Sequence, residues 1–278
     1  MFEQILVTVD GSGRAREMTN MLLALPSLQS TQVNVLHVVA GSSTAEGITE
    51  YRLAGERILA KEASSFKLGS GHTSVSLLKE GDPKDVVCKV AEELKPSILV
   101  MGSRGMGRLQ AILANSVSQY VFQLASVPML LVKDDVYIKT IRTVMVSVDN
   151  SQAAKDALDF VTKLLAGAKD LEIILMRVVK KKENFDASGD DALNEATAKL
   201  KRLNITYRVV IGAGDVGKEI CKAAEENNAS LLVIGSPDRR PSIARSLPDL
   251  DRLLGGSVSD YVRVNASCPV LLTRTPEA

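Results

Sequence analysis

Apolar residues along this chain gather in short, nearly continuous runs separated by stretches of helix length. In the first half the runs are ILVTV at 5–9, VNVLHVV at 33–39, SVSLL at 74–78, SILVM at 97–101 and PMLLV at 128–132. The intervening stretches carry apolar residues at helical spacing. Runs of this kind predict strands buried on both faces, hence a parallel sheet covered by helices on either side. The expected fold class is α/β, doubly wound and Rossmann-like. Such a sheet has a topological switch point, and ligands bind there beyond the strand C-termini.

The pattern is written twice. ILVTVDGS at Ile5 to Ser12 returns as VMVSVDNS at Val144 to Ser151, which matches Asp10 with Asp149 and Ser12 with Ser151. GDPKDVVCKVAEELKPSILVMGS returns as GDVGKEICKAAEENNASLLVIGS, and NSVSQYVFQLASVPMLLV as GSVSDYVRVNASCPVLLT. Three blocks in one order mark a duplicated domain. The expected division is 1–135 and 139–278, joined by a short charged connection. With five strands in each half, the full expectation is two five-stranded parallel sheets.

The repeat also disposes of a lookalike. VVIGAGDVGKEI has the spacing of a phosphate-binding P-loop, but Glu219 stands where that motif needs a Ser or Thr on magnesium. The first half has KEGDPKDVV at the same place, which has no such character. Asp82 is a natural N-cap with Pro83 at N1, so Asp215 is expected to cap the equivalent helix. GSGRAR at Gly11 to Arg16 likewise lacks the third glycine of a dinucleotide fingerprint.

Composition narrows the function. Lys and Arg total 34 against 33 Asp and Glu, and aromatics are 4% with no Trp, which disfavours nucleic-acid binding by counterion release and base stacking. Cys88, Cys221 and Cys268 have no metal-type spacing and read as free thiols in a reducing cytoplasm. The N-terminal MFEQILVTVD lacks the basic flank and apolar core of a signal peptide. The most apolar long window, AILANSVSQYVFQLASVPMLLV, is broken by polar residues and Pro128, so no membrane span is expected. His37, within a strand, and His72, in a Gly-rich turn, have no catalytic partners and read as structural. VVKKKEN at Val178 to Asn184 reads as a solvated loop entering the second half's long helix rather than a nucleic-acid patch.

Two loops at strand C-termini carry candidate chemistry. One holds Asp10 and Ser12 after the first strand; the other is MGSRGMGRLQAILANSVS after the fourth. An Asp in the first position can accept hydrogen bonds from ribose hydroxyls. Gly102 and Gly105 let the backbone approach an anion, Arg104 adds charge, and Ser116, Val117 and Ser118 open the next helix, where free N–H groups favour phosphate.

Taken together, VTVDGS, GSRG and NSVS in the first half, with VSVDNS, GS and GGSVS in the second, resemble the universal stress protein family in its tandem form. The resemblance spans almost the whole chain. It implies the strand order 3-2-1-4-5 in each half, and it implies pairing through the last strands, here as an intramolecular pseudo-dimer. The family's ATP-binding members show G-x2-G-x9-G-[ST] after the fourth strand. In them the strand-one Asp holds ribose, and the Gly loop and helix N-terminus hold phosphate. By that resemblance the first half is expected to bind ATP or AMP, with or without magnesium, through Asp10, Val38, Gly102, Ser103, Arg104, Gly105, Asn115, Ser116, Val117 and Ser118.

Each half departs from the pattern. Asn115 replaces the last glycine in the first half, and Asn is the non-glycine residue most tolerant of left-handed backbone angles. In the second half Gly256 and Ser257 remain, but Asp238 replaces the second glycine and a long insert follows. The expected function is a cytoplasmic, non-enzymatic, nucleotide-binding stress regulator with a protein partner of unknown identity. Its alternatives are an interaction module without ligand and a slow ATPase. Further association of two chains is left open.

Overall fold

The computed structural model describes residues 2–13, 15–41, 44–103, 117–133, 140–183, 185–237 and 257–275. The chain divides into two compact units, Met1–Asp135 and Val136–Ala278.

In the first unit the strands are β1 (Gln4–Thr8), β2 (Gln32–Val39), β3 (Thr73–Glu80), β4 (Ile98–Ser103) and β5 (Met129–Lys133). They alternate with helices α1 (Arg16–Leu23), α2 (Ala45–Ala63), α3 (Pro83–Leu94) and α4 (Val117–Leu124). Every strand pairing in this unit is parallel, in the order β3-β2-β1-β4-β5. The alternating apolar runs thus give the α/β class that they predict, and each run named above forms a strand.

The central strands show why. Ile5, Leu6, Val7, Val33, Val35, Ile98, Leu99 and Val100 are buried. Consecutive residues of one strand point to opposite faces, so burial of both requires a helix layer on each side. β3 has one strand neighbour and is covered less, leaving Val75 exposed.

The second unit repeats the scheme with β6 (Thr143–Ser147), β7 (Glu172–Val179), β8 (Tyr207–Ala213), β9 (Leu231–Pro237) and β10 (Val270–Thr275). Its helices are α5 (Gln152–Leu164), α6 (Asp191–Arg202), α7 (Val216–Glu226) and α8 (Val258–Asn265). The pairing is again parallel, in the order β8-β7-β6-β9-β10.

The P-loop lookalike is a capped helix. Asp215 is the N-cap of α7 and accepts a hydrogen bond from the Lys218 amide at 3.0 Å, as Asp82 of α3 accepts from Lys84 at 2.8 Å. Gly217 has a packing role: a Cβ there would lie 2.7 Å from the Tyr261 ring of α8. The first half has Lys84 at that position, its ammonium 5.6 Å from the centre of the Tyr120 ring. Both histidines are structural, as expected. His37 Nδ1 lies 2.7 Å from the Val9 carbonyl, and His72 accepts from the Gly69 amide at Nδ1 while its Nε2 meets the Leu28 carbonyl. None of the three cysteines is in a disulfide, and among the described residues no helix is long and apolar enough to cross a membrane.

Candidate functional site

Strand register fixes the geometry of the first half's candidate site. Thr8 of β1 is level with Leu36 of β2 and with Met101 of β4. Two residues further along each segment stand Asp10, just past the end of β1, Val38 of β2 and Ser103, the last residue of β4. Three parallel strands therefore deliver three of the expected residues to one edge of the sheet. Gly102 precedes Ser103 within β4, paired with Val132.

The loop after β1 is held open by its own chemistry. Asp10 Oδ1 accepts from the Ser12 amide at 2.9 Å and from the Ser12 hydroxyl, an Asx turn. Gly11 and Gly13 take φ of +83° and +73°, angles that a helix cannot contain. Accordingly α1 does not begin until Arg16. Asp10 stays exposed at the sheet edge, and Val38 is half-buried.

The β4 end and the α4 start are tied together. Ser118 donates its hydroxyl to the Ser103 hydroxyl at 3.5 Å, and both residues are buried. Val117, half-buried, is the first residue of α4. Arg104, Gly105, Asn115 and Ser116 lie outside the described residues. Asp10, Val38, Gly102, Ser103, Val117 and Ser118 are thus placed at the C-terminal edge of β1, β2 and β4, with the amino end of α4 beside β4.

The equivalent edge of the second half is built differently. Ser147 is level with Met176 and Val146 with Val233, and Asp149, Val178 and Ser236 stand at or just past the C-terminal ends of β6, β7 and β9. Asp149 accepts from the Ser151 amide at 2.7 Å, the same Asx turn. Here, however, Asn150 and Gln152 replace the two glycines, and Ser151 becomes an N-cap that accepts from Ala154 at 3.2 Å. The helix begins at once. A Cβ on Gly235 would collide with the Ala153 carbonyl and lie 2.9 Å from the Ala154 nitrogen, so the helix backbone rests directly on that glycine. Beside it, α5 and α6 line a small open cleft of about 40 Å³ whose walls include Val148, Leu158 and Ala196. Ion pairs Lys155–Glu195, at 2.6 Å, and Lys199–Asp159 join the two helices at this cleft. Burial, then Arg202, keeps the Lys199 ammonium below its ordinary pKa.

The sequence singles out Asp10 and Asp149 as equals but misses how unequal their loops are. The contrast between DGSG and DNSQ was the available signal. It also misses the ion pair between Asp260 and Arg263 at the start of α8, for which SVSDYVR against SVSQYVF is the signal.

Two doubly wound α/β units, each with an Asx turn after its first strand, make this a tandem α/β protein. The model of the universal stress protein family matches residues 1–133 and again 140–274. The chain belongs to that family, in tandem form. Among curated relatives, universal stress protein YxiE of Bacillus subtilis is 30% identical over 151 residues, covering 48% of this chain and all of that protein. Universal stress protein Sll1654 of Synechocystis is 28% identical over 135 residues, 48% of this chain and 86% of its own length. In fold, the chain is similar to a universal stress protein of Archaeoglobus fulgidus: TM-score 0.77, 24% identity, covering 98% of this chain and 97% of that one.

Proposed function

We propose that this protein is a cytoplasmic stress regulator that binds an adenine nucleotide, ATP or AMP, in its first half. The observation that carries the reading is that Asp10, Val38 and Ser103 stand at the C-terminal ends of three neighbouring parallel strands, with Ser118 of α4 bonded to Ser103. Asp10 offers a carboxylate at the place where ribose hydroxyls would donate. Val38 offers an apolar neighbour for the base. Gly102 and the amino end of α4 suit phosphate, through close backbone approach and the partial positive charge of a helix start. Arg104, Gly105, Asn115 and Ser116 complete the proposed contact set, and magnesium would share the phosphate charge.

The proposal is one of binding rather than catalysis: nucleotide occupancy biases conformation or association with a protein partner. It includes domains at 1–135 and 139–278, two five-stranded sheets, and their arrangement as a pseudo-dimer through the apolar last strands of each half. Titration of ATP and AMP into the purified protein tests it. Micromolar or millimolar binding abolished by Gly102→Val is expected; a folded protein that takes up neither nucleotide overturns it.

A further inference from the structure

Helix α2 outruns the sheet that it packs on. Its inward stripe, at helical spacing, is Ile48, Tyr51, Gly55, Leu59 and Glu62. Gly55, Leu59 and Glu62 are buried, and a Cβ on Gly55 would collide with the side chain of Val39, the last residue of β2. Ile58, at the margin of the stripe, rests against the loop of Asp10: a Cβ on Gly11 would lie 3.3 Å from it. Nearer the helix start, on the same stripe, Tyr51 is 47% exposed and Ile48 41%. Because β2 and β3 are parallel, the helix between them runs back against both, and its start lies at their C-terminal edge. Tyr51 therefore stands about 6 Å, and Ile48 about 10 Å, beyond Gly55 and past the end of β2. In the second half, α6 starts with Ala192, Leu193 and Ala196 already buried, so it has no such overhang. Leu53, also exposed, lies on the opposite side of α2 as a lone surface leucine.

We propose that Tyr51 and Ile48 receive the base of the nucleotide, with the Tyr51 ring stacked on it. The inference rests on the nucleotide reading of the first half, and it adds an element from which none of the expected contacts comes. Strand order decides where the base goes. β1 lies between β2 and β4, so a nucleotide with its ribose at Asp10 and its phosphates toward Gly102 and α4 leaves its base on the β2 side. That is the side on which α2 stands, since Gly55 packs on Val39 and Ile58 on Gly11. A purine is flat and apolar on its faces, and stacking on an aromatic ring changes affinity by about tenfold. A protein partner would need about 800 Å² of surface on this side, and two side chains on one helix stripe offer far less.

The chain has no Trp, so Tyr51→Trp places a single fluorescent reporter at the proposed contact. Adenosine, AMP, ATP and inorganic triphosphate are titrated into that variant, and the three adenine compounds into wild type, Tyr51→Ala, Tyr51→Phe and Ile48→Ala by calorimetry. Adenosine, AMP and ATP are expected to quench the indole, and triphosphate to leave it unchanged. Tyr51→Ala is expected to weaken all three alike, about tenfold, and Ile48→Ala to weaken them in the same way but less. Tyr51→Phe, which keeps the ring, is expected to recover most of the loss. Thermal melting should not move, because both side chains are exposed. Wild-type affinity for ATP in Tyr51→Ala, or an indole that stays silent while ATP binds, overturns the proposal and leaves the first-half site standing. A wild-type chain that binds no nucleotide removes the reading beneath the proposal, which falls with it. An indole shielded without nucleotide, in step with protein concentration, means that a second copy covers the patch and also overturns it.

Discussion

The hydroxyl of Ser118 lies 3.5 Å from that of Ser103, and this contact joins the first turn of α4 to the last residue of β4. Helix start and strand end thus meet at the edge where Asp10 also lies.

Ser118→Ala should keep the fold and weaken ATP about fivefold, the equivalent of about 1 kcal/mol for one hydroxyl contact. Thermal melting and ATP titration of the same sample check both halves of that statement. An unchanged affinity would remove Ser118 from the site.

Asp10→Ala loses both the Asx turn and the proposed ribose acceptor. Because Asp10 is exposed, its cost to stability should stay below about 1 kcal/mol, whereas ATP and AMP should weaken alike, by about tenfold. A comparison of the two nucleotides is the check, since a ribose contact does not distinguish phosphate number.

Gly235→Ala puts a methyl group where the Ala153 carbonyl lies. Backbone cannot swing aside as a long side chain can, so the second half should lose about 2–3 kcal/mol in urea denaturation. Gly214→Ala provides the contrast. Nothing stands within 4 Å of its would-be Cβ, and the cost there comes from φ of +120°, about 1 kcal/mol.

Lys218→Ala should leave nucleotide binding unchanged, because Lys218 belongs to a capped helix and not to a P-loop. Asp215→Ala should cost about 1 kcal/mol of stability through loss of the cap. A loss of ATP binding in the lysine variant would revive the discarded motif.

Asp186 accepts from the hydroxyl of Ser188 at 2.7 Å and from its amide at 2.9 Å, which lowers its pKa from 3.8. A carboxyl depressed in the folded state stabilises the fold above its unfolded pKa. That contribution is lost as pH falls through the lower folded value. The carboxyl carbon of Asp186, followed by NMR, should therefore titrate below 3.8 in wild type and return upward in Ser188→Ala.

How much of this was legible depended on the interaction. The strands were plain because burial on both faces demands apolar runs, and the caps were plain because Asp82 and Asp215 each precede a helical pattern. The start of α1 was not. Ser12 and Ser151 align, yet one sits in an open turn and the other caps a helix, and the difference lies in whether the flanking residues tolerate left-handed angles. The Asp260–Arg263 pair was also missed, because a charged pair three residues apart on a helix usually reads as solvated surface, whereas here Arg263 is 6% exposed.

The most direct test of the account is the nucleotide released on denaturing freshly purified protein, followed by ATP and AMP titration of wild type and Gly102→Val. One adenine nucleotide bound per chain, and lost in Gly102→Val, is the predicted result. A folded wild-type chain that neither carries nor binds nucleotide, or a Gly102→Val variant that binds it unchanged, would contradict the account.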